Sequence, residues 1–101
     1  MIKVNIKKEN GVIIRIKING HAEYNEKGKD IVCAGISAVL ITSVNAILKF
    51  DETAIKFNES NDFYLENIKQ DEITNKLLNN LCDMLKSFEK QYSKNIIIKE
   101  D

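Results

Sequence analysis

The stretch from Ile31 to Leu48 contains no charged residue, and it limits the possible folds of this chain most strongly. Its length approaches the ~18 apolar residues of a membrane-spanning helix. It also contains small and polar residues, and amphipathic segments flank it on both sides. We therefore predict a buried helix of a soluble protein. Because this helix is apolar on nearly every face, it must be covered on more than one side. The interrupting residues are Gly35, Ser37, Thr42, Ser43 and Asn45.

The first twenty residues alternate between apolar and polar side chains, which is typical of half-buried strands. Asn10-Gly11 divides the alternation and favours a tight turn, because both residues tolerate positive backbone φ angles. The pattern predicts a β-hairpin with Ile13 on the solvent side. The predicted buried face carries Ile2, Val4, Ile6, Val12, Ile14, Ile16 and Ile18.

The rest of the chain predicts a second hairpin, a second helix and a last strand. Two short strands, 54–57 and 63–68, are joined by a polar turn, and Asp71 is placed to cap the helix. A last strand covers 95–99. The order ββαββαβ predicts an α/β (α+β) fold, a small sheet with two helices, as a single domain over residues 1–101. The predicted apolar face of the second helix carries Ile73, Leu77, Leu81, Leu85, Phe88 and Tyr92.

The composition is that of a soluble globular protein, with 44% hydrophobic and 30% charged residues. Fifteen basic and fifteen acidic residues give a net charge of zero, so no global field attracts nucleic acid or an anionic membrane. We therefore expect neither as a partner. Two cysteines without an N-terminal signal peptide indicate free thiols and a cytoplasmic location.

The only histidine, His21, is separated from Cys33 by a polar segment that contains Gly28. Asp30 can cap the helix that begins at Ile31, which would place Cys33 in the first helical turn. Free backbone N–H groups there stabilise a thiolate, and a nearby imidazole can take the thiol proton. His21 and Cys33 are therefore a candidate nucleophilic pair, with the N–H groups as donors to an oxyanion.

Each of these residues also has a structural interpretation. A lone cysteine in an apolar helix is commonly a small buried hydrophobe, and capping alone is sufficient reason for Asp30. Ser37 can bond back to a carbonyl one turn earlier, or support the thiol beside it. Cys82, inside the second helix, is expected to be inert packing. His21 and the two cysteines lack a fourth ligand and a Cys-Xaa-Xaa-Cys pair, so we expect no metal site and no cofactor.

Gly20-His21, Gly28 and the run DIVCAGISA at 30–38 resemble, in order and spacing, the signature of the ribosomal-processing cysteine protease (Prp, YsxB-like) family. The resemblance implies a cytoplasmic bacterial endopeptidase. Its implied substrate is the precursor of a large-subunit ribosomal protein, from which it removes an N-terminal extension. It implies a homodimer with a loop between His21 and Cys33 that moves on substrate binding. The implied roles are His21 as general base and Cys33 as nucleophile, with Gly20, Asp30 and Ser37 in support and Gly28 as the loop hinge.

One sheet face cannot cover the apolar first helix, so the second helix or a second copy of the chain must cover the rest. On this ground too we predict a homodimer. An alternative function is a noncatalytic ribosome-assembly or peptide-binding module that uses the same cleft. The two functions differ in whether they require the sulfur atom of Cys33. Cys33→Ser should abolish cleavage by a protease, but it should leave simple peptide binding nearly intact.

Overall fold

The computed structural model describes residues 1–20, 31–59 and 62–101. Within these ranges the elements follow the predicted order ββαββαβ, which confirms the α+β fold class. Their bounds are β1 (Ile2–Glu9), β2 (Val12–Asn19), α1 (Ile31–Phe50), β3 (Ile55–Asn58), β4 (Phe63–Asn67), α2 (Glu72–Gln91) and β5 (Ile96–Glu100).

The strands form one sheet in the order β3-β4-β2-β1-β5. β1 pairs antiparallel with β2 and parallel with β5, while β4 pairs antiparallel with both β2 and β3. Alternate residues of the strands share one apolar core with the buried residues of both helices. The helices therefore cover one face of the sheet, and the opposite face is polar.

β1 and β2 form the predicted hairpin. Asn10 and Gly11 have φ angles of 52° and 77°, as a two-residue turn that matches the twist of the strands requires. Ile2, Val4 and Ile6 are buried, as their alternation predicts.

The predicted facing of β2 is wrong near the turn because the hairpin contains a β-bulge. Lys7 pairs with Arg15 but Lys8 pairs with Ile13, so Ile14 is an extra residue without a partner in the register. The bulge turns Ile13 into the core, where it is 2% exposed, and leaves Val12 and Ile14 only half-buried. The side-chain amide of Asn67 donates to the Ile13 carbonyl at 2.8 Å and satisfies this distorted backbone.

α1 is covered on more than one side, as predicted, because it packs on the sheet and also on α2, whose Phe88 ring lies against Gly35. Its buried side chains recur at helical spacing along one face, which packs on the sheet. By length and composition alone the helix could cross a membrane, but this face belongs to the core shared with the strands. Ile31 and Ile41 are 62% and 52% exposed on the side away from the core, so the outward face remains open with large apolar side chains on it. The buried residues are Val32, Ile36, Leu40, Val44 and Ile47.

α2 begins as predicted, because the Asp71 side chain accepts a hydrogen bond from the Thr74 N–H at 2.8 Å. Its buried face is rotated relative to the predicted one. Ile73 is 47% exposed, and Leu77, Phe88 and Tyr92 pack only at the margin of the core. The stripe of α2 that is buried in the core is narrower than the one the sequence pattern predicted. The buried residues are Thr74, Leu78, Leu81, Cys82 and Leu85.

Asp71 makes folding stability sensitive to acid. The hydrogen bonds from Thr74 lower the pKa of this carboxyl below its ordinary value of 3.8. Since the folded-state pKa lies below the unfolded one, the cap stabilises the protein above pH 3.8 and loses this contribution as pH falls through the folded value. We expect the urea midpoint of wild type to drop more steeply below pH 3.8 than that of Asp71→Asn, whose amide oxygen caps the helix without titrating. Equal slopes for the two proteins would contradict this role.

Candidate active site

Cys33 lies in the first turn of α1, where backbone N–H groups have no partner within the helix. It is half-buried and packs at the margin of the core. No acidic side chain lies in this first helical turn. The positive end of the helix dipole therefore acts on the Cys33 sulfur without a neighbouring carboxylate in the helix to oppose it.

A cleft of about 180 Å³ opens beside Cys33. Asn19 and Gly20, at the end of β2, form one wall, and Ser37, one helical turn after Cys33, lies on the other side. Apolar side chains from both layers form its floor. They are Ile2, Ile18, Ile36, Leu40 and Phe63.

Gly20 is held in a conformation and a space that fit only glycine. Its φ angle is 86°, in the left-handed region, and an added Cβ would stand 2.3 Å from the Met1 carbonyl oxygen. This close approach closes the end of β2 over the start of β1. Gly20 itself lines the cleft that contains Cys33.

A second cleft of about 240 Å³ continues the first along α1. The two share Ser37, Leu40 and Phe63, so together they form one groove that starts at Cys33. The second part adds Ile41 and Glu59, while Asp62 stands at the rim of the first. The groove therefore has an apolar floor and an acidic rim, and it has room for a short stretch of peptide.

The predicted site residues divide between those that the structure describes and those that lie outside the described residues. Gly20, Cys33 and Ser37 meet at the same cleft. His21, Gly28 and Asp30 lie outside the described residues, so the distance from His21 to Cys33 and the capping role of Asp30 stay predictions. Around Cys33, no group of three or more metal-ligating side chains occurs among the described residues.

Phe63 and its acidic neighbours were not predicted as part of the site. Phe63 pairs with Ile18 in the register of β4 and β2, which brings the start of β4 beside the end of β2. Nothing in the local sequence around Phe63 indicates this pairing, because β2 and β4 are separated along the chain by α1 and β3. Only the strand order reveals that Asp62 and Phe63 border the cleft.

Cys82 provides an internal comparison, and the prediction that it is inert packing is confirmed. It is 3% exposed, and burial raises the pKa of its thiol to about 12. A buried thiol that stays protonated at neutral pH is a poor nucleophile.

We expect iodoacetamide at pH 8 to alkylate Cys33 at least about a hundredfold faster than Cys82 in the folded protein. One reason is access, since Cys33 borders an open cleft whereas Cys82 is enclosed. The other is ionisation, since burial raises the pKa of the Cys82 thiol. Peptide mass mapping after timed quenching measures both rates. In urea the two cysteines should react alike, and similar rates in the folded state would show that Cys33 is no more available than a core thiol.

Comparison with known proteins supports the hypothesis that this cleft is the active site of a protease. Residues 1–97 match the family model described as cysteine protease Prp. The ribosomal processing cysteine protease Prp of Staphylococcus aureus is 34% identical to this chain, over 95% of each protein. A Mycoplasma genitalium protein of the same name is 40% identical over 59% of this chain and 52% of its own length.

Solved structures agree with the sequence matches. The crystal structure of the essential S. aureus ribosomal processing protease Prp with a covalently linked product peptide superposes with a TM-score of 0.90, at 31% identity and full coverage of both chains. The same protease with a substrate peptide gives a TM-score of 0.89 at 30% identity, again over both full chains. Fold, whole-chain sequence similarity and the resemblance of the DIVCAGISA segment all point the same way, and the chain belongs to the cysteine protease Prp family.

Proposed function

We propose that this protein is a cysteine endopeptidase that removes an N-terminal extension from the precursor of a large-subunit ribosomal protein. One observation carries the proposal: Cys33, in the first turn of α1, and Gly20, the residue before His21, border the same peptide-sized groove. The relatives named as ribosomal processing proteases, one of them solved with a substrate peptide, support the class of substrate. A ribosomal protein precursor as substrate also assigns the enzyme to the cytoplasm.

In the proposed mechanism His21 and Cys33 act as a catalytic dyad. The imidazole takes the proton of the Cys33 thiol, and the thiolate attacks the scissile carbonyl carbon. Backbone N–H groups of the first turn of α1 stabilise the resulting oxyanion. The intermediate collapses with cleavage of the C–N bond, and the imidazolium protonates the leaving amine. Water, deprotonated by the same imidazole, then hydrolyses the thioester and restores the thiol.

The residues around the dyad have supporting roles in this proposal. Asp30 caps α1 and so keeps the first-turn N–H groups directed at the reacting carbonyl. Ser37 borders the groove one turn after Cys33 and is placed to hydrogen-bond the peptide backbone. Gly20 fixes the point where the chain turns toward His21, and Gly28 gives the segment between His21 and Asp30 a hinge.

The groove indicates what the extension peptide presents to the enzyme. Its floor of Leu40, Ile41 and Phe63 fits an aromatic or large aliphatic side chain. We therefore expect a peptide with its aromatic residues changed to alanine to be cleaved more slowly than the parent. Equal rates for the two peptides would remove this assignment while leaving the catalytic dyad untouched.

A homodimer is the proposed assembly. The outward face of α1 exposes Ile31 and Ile41, and large exposed apolar side chains on one face favour association. Sedimentation velocity at micromolar concentration tests it directly, with Ile31→Lys as the variant that should dissociate the dimer. A wild-type monomer under these conditions would contradict this proposal.

The function is tested by incubating the ribosomal protein precursor with the enzyme and measuring intact masses. A defined N-terminal mass loss is expected with wild type and with the control Cys82→Ala, but not with Cys33→Ser or His21→Ala. Tight binding without any mass loss in wild type would instead identify a noncatalytic peptide-binding module. Full activity of His21→Ala would exclude the dyad but not the cysteine nucleophile.

A further inference from the structure

The sheet face opposite the helices, which we call the open face, carries a large excess of positive charge. The register places Lys7 opposite Arg15 at its centre, with Lys17 two residues along β2. The open face has six cationic and three acidic side chains, although the whole chain has a net charge of zero. The cations are Lys3, Lys7, Arg15, Lys17, Lys56 and Lys99, and the acids are Glu9, Glu66 and Asp101.

The stability of the fold does not account for this concentration of positive charge on the open face. Like charges directly opposite on neighbouring strands are destabilising, as for Lys7 and Arg15. The ion pairs formed between described residues lie elsewhere, around Glu100 and between Lys76 and Glu72. Glu66 lies opposite Arg15 and Lys56 in the register, and Asp101 lines the same hollow as Lys7, Arg15 and Lys17. The face still has three more positive than negative charges, which suits it to bind an anion from outside the chain.

Tyr64 adds an aromatic platform to the open face. It is half-buried on β4, where the register places it beside Lys17, and the Lys17 ammonium stands 5.8 Å from the centre of its ring. Unpaired bases stack on aromatic rings at sheet surfaces, while neighbouring cations contact the phosphates. The five strands span about 19 Å, which is wide enough for several nucleotides.

We propose that the open face binds single-stranded nucleic acid, with phosphates on Lys7, Arg15 and Lys17 and a base on Tyr64. This surface lies across the sheet from α1 and its groove, and the proposal does not depend on the peptidase function. A membrane fits less well, because Ile97 is the only large exposed apolar side chain on this face of the described strands. The zero net charge excludes a global field, but it does not describe one face of the molecule.

Binding of a fluorescein-labelled twelve-nucleotide uridine RNA, followed by fluorescence anisotropy, tests the proposal. If about four phosphates are neutralised, affinity should fall about 50-fold between 50 and 200 mM salt. The triple variant K7A/R15A/K17A should bind at least tenfold more weakly and with a shallower salt dependence. Tyr64→Phe should bind like wild type, whereas Tyr64→Leu should lose about fivefold or more through lost stacking.

The matched control is K76A/K90A/K94A, which removes the same number of positive charges from exposed positions in α2 and just after it and should bind RNA like wild type. Thermal melting of every variant checks the fold, and cleavage of a peptide substrate should be unchanged in K7A/R15A/K17A. Equal loss in both triple variants, or no binding by wild type at 50 mM salt, would overturn the proposal. Binding only to phosphatidylserine vesicles, or binding to a glutamate 12-mer as tightly as to RNA, would also overturn it.

Discussion

Cys33→Ser is expected to lower kcat/KM for a peptide substrate by at least about a thousandfold, with little change in peptide affinity. A serine hydroxyl at this position keeps the size and polarity of the side chain, but it ionises far less readily than a thiol. The first turn of α1 therefore has no thiolate to stabilise. Steady-state cleavage of a quenched fluorescent peptide measures the rate, and anisotropy of the same peptide measures binding.

The matched control for this prediction is Cys82→Ala, which removes the enzyme's other thiol. Cys82 is buried in α2, away from the groove, so this substitution should leave kcat/KM within about twofold of wild type. Comparable losses in the two variants would indicate that either change simply unfolds the protein. A Cys33→Ser variant that cleaves at the wild-type rate would exclude Cys33 as the nucleophile.

Gly20→Ala is expected to lower both stability and activity strongly. The new Cβ would meet the Met1 carbonyl at 2.3 Å, and the φ angle of 86° is unfavourable for alanine. Backbone strain and overpacking together cost roughly 2–5 kcal/mol of the free energy of unfolding. Any movement that relieves the contact also shifts the residue from which His21 continues.

Comparison with Gly11→Ala separates backbone strain from overpacking. Gly11 has a similar φ angle, 77°, but an added Cβ there meets nothing within 4 Å. It should cost only roughly 1–2 kcal/mol, and it should leave cleavage unchanged because the turn is remote from the groove. Urea unfolding and kcat/KM at 15 °C for both variants make the comparison. Equal unfolding free energies for the two would show that the close approach to Met1 is unimportant.

The sequence predicts the element order well because the signals for it are local. Alternation defined β1 and β2, and Asp71 marked the start of α2 through a hydrogen bond between near neighbours. The bulge at Ile14 escaped prediction, since an extra residue in one strand is visible only against its partner. The exposure of the outward face of α1 could not be predicted for a similar reason, because it depends on how much surface the other elements supply to cover the helix.

Only part of the candidate site could be predicted from the sequence. Cys33 could be placed at a helix N-terminus because helix starts have local signatures. The groove could not be placed, since Phe63 reaches it through pairing between strands that are distant along the chain. The open face was missed because a sum of charges contains no information on which side of a sheet each charge lies.

The parallel pairing of β1 with β5 determines when the cleft can form during folding. Ile2, on the cleft floor, donates its backbone N–H to the Asn95 carbonyl at 2.8 Å, just before the last strand begins. Contacts between residues so far apart in sequence form late, since their loop-closure entropy must first be overcome. We therefore expect a chain shortened before β5 to lack a formed groove beside Cys33, although it still contains His21 and Cys33.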